Sequence, residues 1–168
     1  MERFQEARAK ALQNLKVADH LLNVTYPLIQ DTKLLLAVLD HLFLSLANTM
    51  SALLWYKRLL KEVPPFSNNF DGKFNTFTQW AQQHHIDKEY AKMMMEIKEL
   101  IMLHRKSKVE FRKKDRFIVC DDNYSVTAVT ASKLKWYLKK TNDLSMIVNG
   151  ILDNERIFRG SERRIEAC

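Results

Sequence analysis

The sequence predicts a predominantly α-helical domain: a four- or five-helix bundle with a short irregular or two-stranded insert near residues 107–130. Three observations carry this. Glycine and proline number only three each in 168 residues, too few for the many tight turns of a sandwich or barrel. Apolar residues make up 46% of the chain, a normal share for a globular core. Apolar side chains also recur at steps of three and four over most of its length, the period of one helix face. A chain of this size fits a single domain, here 1–168, and buries about 70% of its unfolded surface.

Taken in order, Phe4, Ala7, Ala11, Leu15, Ala18 and Leu22 form one stripe over residues 3–25. Tyr26-Pro27 is expected to end that helix, because a residue before proline is pushed out of the helical region. Asp31 or Thr32 can cap the next helix, which runs to Glu62 and stops at Pro64-Pro65. Its roughly 30 residues span about 45 Å, and the short connection before it suits an antiparallel hairpin. Residues 66–75 read as a loop.

Helical spacing returns with Phe77, Trp80 and Ala81, then Ile86, Tyr90, Met93, Ile97, Leu100 or Ile101, and His104. Asp87 can start a fresh helix after a break near His84-His85. The pattern then changes. Val109, Phe111, Phe117, Val119 and Val126 sit among charges at near-alternate spacing, with Asp121-Asp122-Asn123 supplying turn chemistry. Thr130 or Ser132 caps a last helix carrying Leu134, Tyr137, Leu138, Leu144, Ile147, Val148 and Ile151. From about residue 154 the tail is charged and expected to fray.

Leu34 to Tyr56 is apolar enough to raise the question of a membrane span. Its formal charge is Asp40, with Ser45, Asn48, Thr49 and Ser51 nearby, and an Asp at mid-membrane costs about 2.5–3.5 kcal/mol. A central helix packed on several sides meets no such penalty, so no membrane insertion is expected. The start, Met-Glu-Arg-Phe-Gln-Glu, lacks the pattern of a signal peptide. Cys120 and Cys168 show no metal-ligand spacing, and a reducing, cytoplasmic setting is expected.

The charge pattern supplies the main functional candidate. The formal net charge is +7. The segment 104–116 holds Arg105, Lys106, Lys108, Arg112, Lys113, Lys114 and Arg116 against Glu110 and Asp115, and the last helix adds Lys133, Lys135, Lys139 and Lys140. Clustered cations neutralise phosphates and release counterions, which makes binding to RNA or DNA salt-dependent. Phe111 and Phe117 can stack on unpaired bases if exposed, whereas their spacing also suits core positions. A solvated helix end and loop gives the same charge pattern.

Other constellations are poorer. The repeat Asp19-His20-Leu21 and Asp40-His41-Leu42 brings two Asp-His pairs to one level if the hairpin folds near residue 30. Adjacent helical residues diverge by about 100°, so neither pair aims both side chains at one ion. No metal, cofactor or Gly-rich phosphate loop is indicated, and no GxSxG elbow or local Cys-His pair points to catalysis. The Met93–Met95 turn is core filler or, in a structural bundle that dimerises, part of an exposed apolar patch.

The segments 14–22 and 34–54, with small residues on one face followed by a long apolar helix, resemble the opening hairpin of HEPN-type helical bundles. The resemblance implies a bundle associated with RNA, sometimes a ribonuclease, and often a dimer. The family's nuclease signature is an Arg followed by four to six residues and a His. None of His20, His41, His84, His85 or His104 has an Arg at that distance upstream, so no catalytic residue is carried over. The expectation is a non-enzymatic bundle that binds RNA or DNA backbone, with a homodimeric protein-interaction bundle, or an enzyme whose site is assembled from distant residues, as alternatives.

Overall fold

In the computed structural model the backbone is described at residues 2–107, 110–113 and 115–165, and side chains at 2–107 and 115–154. The chain is mostly helical, with a small antiparallel sheet inserted before the last helix. Helix α1 (Arg3–His20) passes through a π-helical turn (Leu21–Thr25) into the short α2 (Tyr26–Ile29). Then come α3 (Lys33–Leu59), α4 (Phe70–Gln83), α5 (Lys88–Lys106), the strands β1 (Glu110–Lys113), β2 (Arg116–Cys120) and β3 (Val126–Thr130), and α6 (Ala131–Ile165).

Helix α3 is the axis of the bundle. It packs against α1, α4, α5 and α6 and against β2 and β3. A helix with neighbours on most sides is apolar on most sides, and α3 buries Leu35, Val38, Leu39, Leu42, Leu46, Met50, Leu53 and Leu54. By length and composition alone it is long and apolar enough to cross a membrane. Most of its buried polar residues, however, are satisfied within the bundle; among the described residues Thr49 Oγ1 has no partner. Ser45 donates to the carbonyl of Ala11 at 2.9 Å, Ser51 to that of Ala47 at 2.8 Å, and His41 Nδ1 lies 2.8 Å from Asn14 Oδ1. Alanines at 7, 11 and 18 let α1 approach α3 closely.

The first helical arm does not end at Tyr26-Pro27. Tyr26 keeps helical angles, φ −59° and ψ −44°, and its N–H donates to the carbonyl of Leu21, five residues back. Proline lacks an N–H and crowds the carbonyl four residues earlier. The widened π turn just before Pro27 relieves that crowding, and the helix continues to Gln30, which closes it in the left-handed region at φ 57°. Asn14 is farther from this turn than His41 is, so the first arm overhangs the start of α3. Asp19 and Asp40 therefore do not meet: Asp19 accepts from Asn23 at 2.6 Å and His41 pairs with Asn14.

Residues 66–75 are only partly a loop. Asn69 accepts from the N–H of Gly72 at 2.8 Å and starts α4 at Phe70. Gly72 is required there, since a Cβ would stand 2.6 Å from Cβ of Ser67. The break near His84-His85 is present, with His85 at φ 57°, and Asp87 caps α5 by accepting from the N–H of Glu89 at 2.9 Å.

The insert is an antiparallel meander in the order β1-β2-β3, one strand more than the two-stranded option. Asp121 accepts from the N–H groups of Asn123 and Ser125 at the β2–β3 turn, the local chemistry that closes such turns. Phe117, Val119 and Val129 are buried and pin the sheet to the helices. Thr130 accepts from the N–H of Lys133 at 3.1 Å and so caps α6. The α6 backbone is helical to Ile165, past the residue at which fraying is expected; side chains beyond 154 lie outside the described residues.

Replacing Leu46, 1% exposed at the centre of α3, by alanine is expected to cost about 2–5 kcal/mol in chemical denaturation. Replacing Leu28, 81% exposed on the overhang, is expected to change stability by less than about 0.5 kcal/mol. Equal costs at the two positions would contradict α3 as the axis.

Candidate nucleic-acid interface

The basic residues that cluster in sequence separate in space. On α6, residues 133 and 140 lie seven apart and share one stripe, as do 135 and 139, while 133 and 135 are about 200° apart around the axis. Within the first stripe, Lys140 reaches α5. Lys140 Nζ lies 2.6 Å from Glu89 Oε2 and sits over the rings of Tyr90 and Trp136 at 5.9 and 5.7 Å. The hydrogen bond to Glu89, reinforced by its charge, holds the Lys140 ammonium above the ordinary lysine range. Lys133 Nζ rests 5.6 Å above the ring of Tyr137. Lys140 is thus paired within the protein, while Lys133 stays exposed on its ring.

The second stripe faces α1. Lys135 and Lys139 are exposed and line a groove of about 650 Å³ between α1 and α6, with Leu12, Leu15, Lys16, Asp19, Asn23, Leu138 and Asn142. Lys16 projects from the opposite wall. Among the described residues, none of the three lysines is in an ion pair, and Asp19 is the one carboxylate of this lining, engaged by Asn23. Lys135 also lines an adjoining hollow of about 560 Å³ with Leu22, Tyr26, Pro27, Gln30, Asp115 and Ala131. The two hollows share Lys135 along the α1–α6 seam; the larger, the α1–α6 channel, has leucine side chains on its floor and lysines on both lips, and Asp115 lies in the smaller.

The insert contributes less than its sequence suggests. Arg116 donates from Nε and Nη2 to the carboxylate of Asp115, both at 3.1 Å. That hydrogen bond and the carboxylate charge raise the guanidinium's pKa further, and they neutralise it locally. Phe117 is 1% exposed and stands edge-on to His104 at 5.4 Å, so it has no face for a base. Arg105 and Lys106 are exposed at the end of α5 but do not line the groove. Backbone pairing sets Arg112 opposite Phe117 and Lys113 opposite Arg116. The side chains of Lys108, Phe111, Arg112, Lys113 and Lys114 lie outside the described residues.

Lys16 was not among the sequence candidates. No local signal marks it, because a single lysine on an amphipathic helix is ordinary; only the packing of α1 on α6 brings it to Lys135 and Lys139. The Met93–Met95 turn is equally dependent on packing, and it goes the other way: Met93 and Met94 are buried, which removes them from any partner surface. Among the described residues, no group of three or more His, Cys, Asp or Glu is arranged to hold a metal ion.

The chain matches no family model, no curated protein and no solved structure.

Tyr137 fixes the rotation of α6 that assigns the two stripes. It is fully buried, and its hydroxyl donates to Glu96 at 3.3 Å. Burial first, then the charge and hydrogen bond of Glu96, push the phenol above its ordinary value of 10.0. The native state therefore keeps a proton that the unfolded chain releases, so this contribution is complete below about pH 10 and is lost as pH rises beyond it. Unfolding free energy is expected to fall more steeply between about pH 9 and pH 11 in the wild type than in Tyr137→Phe. Parallel pH profiles in urea melts would contradict the burial of this phenol.

Proposed function

We propose that this protein is a non-enzymatic helical bundle that binds the backbone of RNA or DNA along the α1–α6 channel. The observation that carries the reading is the convergence of Lys16, Lys135 and Lys139, exposed and, among the described residues, unpaired by carboxylates, on the two lips of one groove. Cations held apart on opposite walls repel one another less when an anionic chain lies between them. The leucine floor accommodates the apolar faces of sugars or bases, and the amides of Asn23 and Asn142 can donate to phosphate oxygens. Arg105, Lys106 and the basic residues of the insert extend the positive field that attracts such a chain. The resemblance of the opening hairpin to HEPN-type bundles, which associate with RNA, points the same way.

A second reading rests on a different surface. Val24, Leu28 and Ile29 are 46%, 81% and 63% exposed on the overhang of the first arm, a clustering of apolar side chains that suits a protein contact or a homodimer. A mass measurement at high concentration separates the two: a dimer that Leu28→Glu dissolves, without loss of nucleic-acid binding, assigns the overhang to association alone.

The channel reading predicts a salt slope. Neutralising Lys16, Lys135 and Lys139 together by glutamine is expected to weaken binding to single-stranded RNA or DNA. The dependence of log affinity on log salt should become shallower by about 2, as three lost phosphate contacts require. Glutamines at Lys133 and Lys140 should leave the slope unchanged. Affinity indifferent to salt and to the triple substitution would remove the proposal.

A further inference from the structure

A second basic site lies at the other end of α3. From Lys33 to Trp55 the helix rises roughly 30 Å, which separates this site from the insert and from the hairpin turn. Here Glu2, Arg3, Phe4, Trp55, Arg58, Leu59 and Lys61 line a pocket of about 560 Å³, within the size range of small-ligand sites.

Its construction follows from how α3 ends. Leu60 is the last residue with helical angles, and Lys61 takes the left-handed conformation at φ 60°. The N–H of Glu62 donates to the carbonyl of Lys57 at 2.9 Å and that of Lys61 to Arg58 at 3.0 Å, the paired bonds of a Schellman closure. The chain then reverses through Pro64-Pro65, and Phe66 returns against Trp55 with ring centroids 4.8 Å apart. The aromatic pair carries two guanidinium groups. Arg3 lies 4.8 Å above the Trp55 ring, and Arg58 lies 5.7 Å from Trp55 and 5.6 Å from Phe66.

A guanidinium resting on a ring keeps its N–H edges free while losing much of its rotational freedom, which pre-organises it for two-point contact with an oxyanion. Among the described residues, Arg3, Arg58 and Lys61 make no ion pair, and Glu2 is the one acid in the lining. Three cations against one carboxylate leave an excess of about two charges at the rim. A dianion matches that excess better than a carboxylate does, and a phosphomonoester carries about −1.5 to −2 at neutral pH. Phe4, Trp55 and Leu59, the last 58% exposed, supply an apolar wall for the body that bears the phosphate.

We propose that this pocket binds a phosphomonoester carried on an apolar or aromatic body. Two sources present that chemistry: a free nucleoside monophosphate and the phosphorylated 5′ end of a nucleic-acid chain. The site is independent of the α1–α6 channel and shares no residue with it.

Calorimetric titration of the full chain with a nucleoside monophosphate, inorganic phosphate, and one oligonucleotide bearing either a 5′-phosphate or a 5′-hydroxyl tests it. The nucleoside monophosphate is expected to bind at least about tenfold more tightly than inorganic phosphate, and Arg58→Gln to weaken it about tenfold. Arg58 is exposed, so this variant is expected to fold. Lys61→Gly relaxes the left-handed backbone, and should weaken binding while thermal stability holds or rises. Substituting glutamine at Lys16, Lys135 and Lys139 should leave nucleotide affinity unchanged, so failure of this site and failure of the channel are read separately. A preference for the 5′-phosphate over the 5′-hydroxyl that Arg58→Gln abolishes assigns the chain end as the source; binding of the mononucleotide without that preference assigns the free nucleotide. No binding of either phosphomonoester to the wild type, or affinity unchanged in both Arg58→Gln and Lys61→Gly, would overturn the proposal.

Discussion

The close seam between α1 and α3 sets the geometry of everything else. Ala7, Ala11 and Ala18 bring the first arm near the axis, and the bond from Ser45 to the carbonyl of Ala11 fixes the register. A fully buried hydroxyl needs a partner, and leaving it unsatisfied costs about 1–3 kcal/mol. A slide of α1 along α3 would strand Ser45 and separate His41 from Asn14. With that register fixed, the first arm overhangs the turn, the π turn carries the chain past Pro27, and α6 docks into the space left along α1.

The docking of α6 decides which of its charges are available. Its apolar residues Leu134, Tyr137, Leu144, Val148 and Leu152 are buried, and the Tyr137–Glu96 bond settles its rotation. Lys140 is then turned to α5, where Glu89 and Tyr90 receive it, and Lys133 rests on Tyr137 of its own helix. Lys135 and Lys139 line the groove with α1, where among the described residues no carboxylate pairs with them. The same helix thus supplies a structural face and a cationic, groove-lining one. A count of basic residues along the chain merges these two faces. The packing separates them.

Much of the fold was legible because it depends on local period. The stripes of α1, α3, α5 and α6 and the cap at Asp87 were all visible as spacing or as single side-chain chemistry, whereas α3 ends at Leu59, before the expected Glu62, closed by the left-handed Lys61 and not by Pro64-Pro65. The exceptions have particular causes. Pro27 breaks an ideal α-helix but not one that widens to π register a turn earlier, and nothing local in Leu21–Thr25 announces that widening. The start of α4 was missed because Gly72 reads as a turn, whereas it is the neighbour that Ser67 and the Asn69 cap require. The site was less legible than the fold. Lys135 and Lys139 were recoverable from composition, but their separation from Lys133 and Lys140 depends on which face of α6 is buried. Lys16 depends on a contact across more than a hundred residues, and the Trp55 pocket on the chain reversal that returns Phe66.

The central claim is that Lys16, Lys135 and Lys139 share one anion-binding channel that excludes the opposite stripe of α6. Acetylation of surface lysines, mapped by mass spectrometry with and without bound single-stranded nucleic acid, tests it residue by residue. The account predicts that Lys16, Lys135 and Lys139 become protected together, while Lys133 and the exposed Lys10 on α1 react as before. Protection of Lys133 with Lys16 left reactive, or uniform protection of all of them, would contradict it.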